Sequence, residues 1–451
     1  MEAPRDADSA EVRPVGRRWL MLALFFLVTM ANGFQWIQFA IISNSVAWFY
    51  GVSTQAVQWT SLMYMVLYIP CILPALWFLD AKGLGWTVKL AAVGNCLAAW
   101  LKVAAARPDL IGVLFAGQSL AAATQVLVLS TPPRLAAVWF GAHQVSTATA
   151  VGVIGNQVGN ALGFVVPSLL VRSPNQPGTT VAAMQEDMTL VGYIVAASTT
   201  AIAVLVFIGF QKAPPVAPSV AQAALRLHGR SHGGTMSEFK TSVKAVLASP
   251  GYLYLLVTNA INTGVTLAAA TVLNDLILSV FPDSEDDAGF IGLVMVVAGL
   301  VGAVISGLVL DFTAKFKEMT VGMYGLSVVS LVVFTATMFA ERIWAVYIAG
   351  ALAGLSLAGY VAVGFEFAAE LTYPEPEGTS SGLLNAASMV LGIAFTVASG
   401  ALLPLAGGWR WACALMTAVL LVGAAVSLAI PNNLRRQAAQ RAAHTLRHPG
   451  Q

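Results

Sequence analysis

Long apolar runs follow one another along almost the whole chain, and short polar segments separate them. A membrane-spanning helix needs roughly 20 mostly apolar residues. Because lipid offers the backbone no hydrogen-bonding partner, such runs predict helices, whereas a barrel would show alternating segments of about 10 residues. Twelve spans are predicted, at 19–48, 56–79, 86–106, 110–131, 143–171, 188–210, 251–281, 287–310, 319–339, 342–366, 379–405 and 410–430.

The third predicted span is the weakest, because Asn95 and Lys102 interrupt it. Counts of eleven or thirteen spans therefore stay open, and either would put the two termini on opposite sides of the membrane. The basic residues favour twelve spans with both termini in the cytoplasm, since 18 of the 23 Lys and Arg residues then fall in inner segments. Membrane proteins usually carry such a basic excess in their inner loops.

Composition narrows the class of protein. Hydrophobic residues make up 58% of the chain and charged residues 10%, against about 25% charged in soluble domains. The net charge of +2 provides no basic surface for nucleic acid. These values exclude an ordinary soluble protein, a disordered chain and a nucleic-acid-binding protein. The first apolar run is too long for a cleaved signal peptide, so we expect a multi-pass protein in the lipid bilayer, with the plasma membrane as the default location.

The longest internal polar segment separates two sets of six predicted spans. The predicted organisation is a cytoplasmic tail at 1–18, a six-helix half at 19–210, a cytoplasmic linker at 211–250, a second six-helix half at 251–430 and a cytoplasmic tail at 431–451. The last part of the linker predicts a short helix on the inner membrane surface, with Ser237 as N-cap. Its apolar face consists of Phe239, Val243, Val246 and Leu247. A plain linker turn is the alternative.

A short pattern occurs at equivalent places in the two sets of six spans. Asp80 ends the second span and is followed by Lys82 and Gly83. Asp311 ends the eighth span and is followed by Lys315. Two related six-helix halves joined by a cytoplasmic linker are typical of a secondary transporter of the major facilitator type, which works by alternating access. The Asp-x-x-Gly match also resembles the loop motif of that superfamily.

The first span carries a polar face where such a transporter would bind its solute. Asn32, Gln35 and Trp36 share this face by their spacing. Solutes of these transporters bind near mid-membrane between the halves, and a buried tryptophan face attracts a quaternary ammonium through a cation–π interaction. We therefore expect the three residues to line a substrate cavity, with core packing as the alternative.

Polar residues in four other spans extend this prediction. The expected cavity residues there are Gln125, Asn156, Asn262 and Asn385. Gln125 shares a face of the fourth span with Gln118, and hydrogen bonding between helices is the alternative role. Asn156 lies beside a Gly-xxx-Gly-xxx-Gly stripe at 155–163, which permits close contact with another helix.

Charged residues near the inner ends of spans predict gating contacts. This set comprises Asp80, Arg134, Asp311 and Glu366. We expect an ion-pair lock between the halves that breaks during transport, and proton coupling through Glu366 is the alternative. Because no acid or histidine falls at mid-membrane in the first half, we expect facilitated diffusion or weak coupling.

The sequence contains no motif for catalysis or for a cofactor. The five histidines map to inner loops or ends, the three cysteines fall inside apolar runs, and no nucleotide loop, metal-ligand spacing or nucleophile motif occurs. We therefore predict that the protein is not an enzyme and binds no cofactor or metal. Its expected partners are a small-molecule substrate and the bilayer, and we expect it to function as a monomer.

Five segments of the chain are similar to segments of a known protein family, at 32–44, 133–140, 155–157, 364–374 and 377–386. They resemble the feline leukaemia virus subgroup C receptor family, and the resemblance extends from Arg18 to about Arg435. It implies the major facilitator fold with twelve spans. It also implies transport of choline and ethanolamine, or of haem in an older assignment. By the same resemblance, Trp36 would form one wall of an aromatic cage around an ammonium group, with Gln125 as a polar neighbour.

Two positions depart from the choline site that the resemblance implies. Leu267 stands where choline-carrying members have a second cage aromatic, a tyrosine, and Met389 stands where they have a glutamine. Both changes make the expected cavity more apolar, and the first removes a cation–π wall. A larger or more hydrophobic solute such as haem therefore stays an alternative to choline or ethanolamine. A receptor or sensor that binds solute without moving it is the alternative from another class.

Overall fold

The computed structural model describes residues 15–141, 144–218, 236–313, 315–375, 377–431, 434, 435 and 437. These residues form helices and connecting segments without any strand. Twelve of the helices are long and apolar enough to cross a membrane, which agrees with the predicted count. The predicted tails lie mostly outside the described residues, as do residues 219–235 of the linker and all five histidines.

The chain divides into two compact units, Met1–Gly233 and Gly234–Gln451. The described part of the N-terminal unit contains α1 (Arg18–Ile37), α2 (Ser43–Tyr50), α3 (Thr54–Lys82), α4 (Leu84–Ala104), α5 (Ile111–Ser130), α6 (Pro132–Trp139), α7 (Val145–Leu170) and α8 (Val181–Gly209). The described part of the C-terminal unit contains α9 (Met236–Leu247), α10 (Pro250–Leu278), α11 (Glu285–Thr313), α12 (Phe316–Phe339), α13 (Ile343–Thr372), α14 (Glu377–Leu402) and α15 (Gly408–Leu428). Both units thus contain six long helices, and the division falls within the predicted linker.

The first span is not the single helix predicted over 19–48. Helix α1 ends at Ile37, residues 38–42 form turns, and α2 begins at Ser43. Ile42 has φ −117° and ψ 35°, which lies outside the helical region. A break inside an apolar run is tolerated only where other groups satisfy the freed backbone. Hydropathy cannot report those partners, because they lie on other helices.

Local sequence explains several other helix boundaries. The Ser53 hydroxyl accepts a hydrogen bond from the Ala56 N–H at 3.2 Å and so caps the start of α3. Pro132 begins the short helix α6, where its missing N–H costs nothing. Helix α13 continues to Thr372, six residues beyond the predicted end of the tenth span. Glu366 therefore lies inside a helix and not at its end.

The glycine stripe of α7 packs directly on α1, as its spacing predicts. A Cβ atom on Gly159 would collide with the Met30 carbonyl, and one on Gly155 would collide with the Thr29 hydroxyl. Gly163 similarly leaves no room for a side chain beside Ile37. The backbones of α1 and α7 approach closely because these positions lack side chains.

The helix in the linker, α9, belongs to the C-terminal unit. Its Val246 is 1% exposed and packs in a hydrophobic cluster with Tyr252, Leu255 and Phe367. The Tyr252 hydroxyl donates to the Ser380 carbonyl at 2.6 Å and joins α10 to α14. The linker segment therefore contains a helix, and its predicted position on the membrane surface stays a prediction.

Candidate substrate site around the break in the first helix

Asn32 and Gln35 on α1 are both fully buried, and their amides bond to neighbouring helices. Asn32 Nδ2 donates to Asn95 Oδ1 at 2.8 Å and to the Ala121 carbonyl at 3.0 Å. Gln35 Nε2 donates to the Asn95 carbonyl at 3.3 Å, while its Oε1 accepts from Lys102 Nζ at 2.9 Å. The expected place of Asn32 and Gln35 in the lining of a substrate cavity stays a prediction. Amides inside a membrane bundle find partners on adjacent helices, and here α4 and α5 supply them.

Three buried polar residues of this cluster were missing from the predicted site. Asn95 is 1% exposed, Lys102 is 6% exposed and Thr124 is 5% exposed. Thr124 Oγ1 lies 2.9 Å from Asn95 Oδ1 and 3.3 Å from Asn32 Nδ2. Asn95 and Lys102 did leave a signal in the sequence, because they interrupt the third predicted span. Polar residues that interrupt an apolar run often face a bundle interior.

The cluster surrounds the end of α1, whose last four carbonyl groups all have partners. The Phe34 carbonyl accepts from the Gln38 N–H at 3.3 Å, and the Ile37 carbonyl accepts from the Ala40 N–H at 3.0 Å. Side chains supply the other two: Gln118 Nε2 donates to the Gln35 carbonyl at 2.9 Å, and the Ser61 hydroxyl donates to the Trp36 carbonyl at 3.1 Å. Helices α3 and α5 therefore satisfy the backbone that the break exposes.

Trp36 lies in the last turn of α1, one residue before its end, and not near the middle of a long helix as expected. Its side chain is 8% exposed. Its indole Nε1 is buried and has no hydrogen-bond partner within the described part of the chain. The buried Trp139 Nε1 shares this property, and an ordered water is a usual partner of such a group.

Gln125 and Asn156 occupy different surroundings in the same unit. Gln125 follows Thr124 on α5 and is 7% exposed. Asn156 is half-buried on α7, and its Nδ2 donates to the Thr29 carbonyl at 3.4 Å. Asn156 thus bonds to α1 beside the glycine stripe.

The C-terminal unit contains the other four predicted substrate residues. Asn262 is fully buried on α10, and its Nδ2 donates to the Ser327 hydroxyl at 3.3 Å. Leu267, Asn385 and Met389 are half-buried, the first on α10 and the other two on α14. These helices approach closely where a Cβ on Gly264 would come within 3.1 Å of the Gly392 nitrogen.

The predicted gating residues are distributed over both units. Asp80 and Asp311 fall near the ends of α3 and α11, and their side chains are outside the described part of the chain. Arg134 is half-buried on α6, and Glu366 is exposed on α13. The lock between these residues stays a prediction.

An ion pair fixes the connection between α7 and α8. Arg172 Nε lies 2.6 Å from Asp187 Oδ2, and Arg172 Nη2 donates to Asp187 Oδ1 at 2.9 Å. The hydrogen bond and the negative charge of Asp187 raise the pKa of the Arg172 guanidinium. The Ser45 hydroxyl donates to the Arg172 carbonyl at 3.3 Å, so the pair also connects to α2.

Comparison with known proteins identifies the family. The model of the Major Facilitator Superfamily matches residues 19–393. The chain is 41% identical over 442 residues to the choline/ethanolamine transporter flvcr2b of Danio rerio, covering 97% of this chain and 88% of that relative. It belongs to the feline leukaemia virus subgroup C receptor family within that superfamily. The choline/ethanolamine transporter FLVCR2 of Homo sapiens, a further member, is 39% identical over 440 residues, covering 96% of this chain and 81% of the human one.

Solved structures confirm the major facilitator fold of this family member. A bacterial homolog of the human lysosomal transporter Spinster, in an inward-facing unoccupied conformation, superposes with a TM-score of 0.71 at 14% identity, covering 93% of this chain and 98% of that chain. The Escherichia coli fucose:proton symporter FucP superposes with a TM-score of 0.59 at 14% identity, covering 91% and 98% of the two chains. Identities this low show the fold alone.

Proposed function

We propose that this protein is a facilitative transporter of choline- or ethanolamine-type organic cations that works by alternating access. Its relatives at about 40% identity carry the name choline/ethanolamine transporter. In this chain, Trp36 is the observation that carries the proposal. Its indole is buried at the broken end of α1, and its N–H has no partner among the described residues. An indole face attracts a desolvated ammonium group by about 2 kcal/mol.

All the predicted substrate residues are proposed to line the site: Trp36, Asn32, Gln35, Gln125, Asn156, Asn262, Leu267, Asn385 and Met389. Asn32 and Gln35 also bond to α4 and α5 and so hold α1 in place. Asn32 and Asn262 support the assignment, because the buried Oδ1 of each has no partner among the described residues.

Uptake by purified protein in liposomes tests the proposal. Labelled choline, ethanolamine and haem are offered to the wild type, to Trp36→Ala and to the matched control Trp77→Ala, whose side chain is 63% exposed. We expect saturable cation uptake that Trp36→Ala abolishes and Trp77→Ala leaves intact. Cation uptake that survives Trp36→Ala would refute the cation–π role. Substrate binding without counterflow would favour a receptor or sensor instead.

Haem is the second candidate, and Leu267 and Met389 favour it. Both side chains are half-buried and apolar where the resemblance implies a tyrosine and a glutamine. Haem uptake without cation uptake in the same liposomes would identify haem, and not choline, as the transported solute.

We further propose that Asp80, Arg134, Asp311 and Glu366 form gating contacts, because a charge in or near a membrane helix is usually functional. Asp80→Asn should slow transport without changing equilibrium substrate binding. Loss of binding in this variant would contradict a gating role.

The orientation and location are part of the same proposal. Both termini are proposed to lie in the cytoplasm, since 18 of the 23 basic residues then fall in inner segments. The plasma membrane and a monomeric state are the default proposals for location and assembly. Epitope tags at either terminus should react with antibody only after cells are permeabilised. A tag that reacts on intact cells would reverse the orientation.

A further inference from the structure

We propose that Lys102 is a positioning residue that holds the broken end of α1, and with it Trp36, in the geometry that receives the cationic substrate. This inference rests on the proposed function. Lys102 is 6% exposed although it carries a charged group. No Asp or Glu among the described residues forms an ion pair with it. A buried ammonium is costly in a membrane helix and is usually retained for a function.

The contacts of Lys102 lie on both sides of the point where α1 ends. Its Nζ donates to Gln35 Oε1 at 2.9 Å, within the last turn of α1. The same Nζ lies 5.8 Å from the centroid of the Phe39 ring, beyond that end. The Tyr50 hydroxyl of α2 donates to the Ala105 carbonyl at 2.7 Å, directly after α4. The C-terminal end of α4 therefore holds the helix, the turn and the following helix together.

Lys102 differs from the other groups around the break in what it bonds to. Gln118 and Ser61 satisfy backbone carbonyl groups of α1, whereas Lys102 Nζ reaches a side chain, Gln35 Oε1. The stem of Lys102 passes Gly117, where a Cβ would come within 3.1 Å of Lys102 Cγ, so α5 leaves the room that this contact needs.

A small cavity of about 20 Å³ lies beside the break, and its lining includes Gln38, Phe39, Tyr50 and Lys102. A space of this size admits about one water molecule. Lys102 therefore borders both this space and the turn at 38–42. Trp36 directly follows Gln35, so a shift of Gln35 moves the indole.

The test compares Lys102→Met with Lys89→Met in choline uptake. Lys89 is the matched control, because it lies on the same helix and contacts the Trp86 and Phe207 rings, not α1. We expect Lys102→Met to raise the choline KM about tenfold with little change in maximal rate, the size expected for the loss of one buried hydrogen bond. Lys89→Met should leave the KM unchanged. Equal effects of the two substitutions would overturn the inference.

A coupling measurement separates positioning from general damage. If Lys102 acts through Trp36, its substitution should raise the KM much less in a Trp36→Phe background than in the wild type. An unchanged rise of the KM in the Trp36→Phe background would overturn the positioning role.

Hydrogen exchange of the backbone gives a readout that does not depend on the substrate. The amides of residues 38–42 should exchange faster in Lys102→Met than in the wild type, while those of α14 should not change. Unchanged exchange at 38–42 would overturn the inference whatever the substrate is. Absence of saturable choline uptake by the wild type would refute the proposed function instead.

Discussion

Asn95 is the residue on which the polar contacts of the N-terminal unit converge, and its replacement by leucine should destabilise that unit. Leucine has the same branching at Cγ but makes no hydrogen bonds. The substitution removes three side-chain bonds: Asn95 Oδ1 accepts from Asn32 at 2.8 Å and from Thr124 at 2.9 Å, and its Nδ2 donates to the Val28 carbonyl at 3.3 Å.

The expected loss follows from these three bonds. Hydrogen bonds between membrane helices contribute on average about 0.6 kcal/mol each, so Asn95→Leu should lower the free energy of unfolding by about 2 kcal/mol. The larger methyl groups of leucine add an overpacking cost. Thr124→Val has nearly the same shape and should cost about 1 kcal/mol. Since both substitutions remove the bond between Asn95 and Thr124, the double variant should lose less than the sum of the two.

Unfolding of the purified protein by SDS in mixed micelles, followed by circular dichroism, measures these values. Thr417→Val is the matched control, because the Thr417 hydroxyl donates only to the Cys413 carbonyl of its own helix, at 2.8 Å. A loss below about 0.5 kcal/mol for Asn95→Leu, less than one average bond, would refute the cluster as a source of stability. Strict additivity with Thr124→Val would refute the bond between them.

Three further predictions concern other parts of the fold. Gly159→Leu should abolish the monodisperse peak on size-exclusion chromatography, because the new side chain would collide with α1. Gly322→Leu is the control and should elute normally, because no atom lies within 4 Å of its Cβ position. Normal elution of both variants would contradict the close contact. Leu267→Tyr should lower the choline KM about tenfold by adding an aromatic wall, and an unchanged KM would remove this residue from the site. Arg172→Gln should lower the free energy of unfolding only slightly, and less at high salt, because the Arg172 side chain is 38% exposed and solvent screens its pair with Asp187. A large, salt-independent loss in the same SDS titration would contradict a screened surface pair.

Hydropathy and spacing were sufficient to predict the number of spans and a close contact of α7 with another helix. Both follow from residue type along one helix, whereas the identity of the partner, α1, does not. The break after Ile37 does not follow, because the run from 19 to 48 is apolar enough on average for one continuous span, and its freed carbonyls are satisfied by Gln118 and Ser61. Those partners lie on other helices, so no local pattern reveals them.

The contacts of the candidate site residues could be predicted only in part, because their partners also lie on other helices. Spacing placed Asn32, Gln35 and Trp36 on one face of α1, and the structure gives them unequal roles within that face. The two amides bond to Asn95 and Lys102, while the indole N–H has no partner in the described residues. Helical periodicity reports which residues share a face but not which neighbour each one meets.

The polar residues that weaken the third predicted span lie beside the break in the first span. Lys102 Nζ donates to the Gln35 side chain in the last turn of α1, and the Asn95 backbone carbonyl accepts from Gln35 Nε2. The carbonyl groups freed by the break are satisfied from α3 and α5, by Ser61 and Gln118. An interruption of a transmembrane helix is stable only if neighbours satisfy its backbone and its polar side chains, and here three helices share that task. They meet next to Trp36, where the proposed substrate binds.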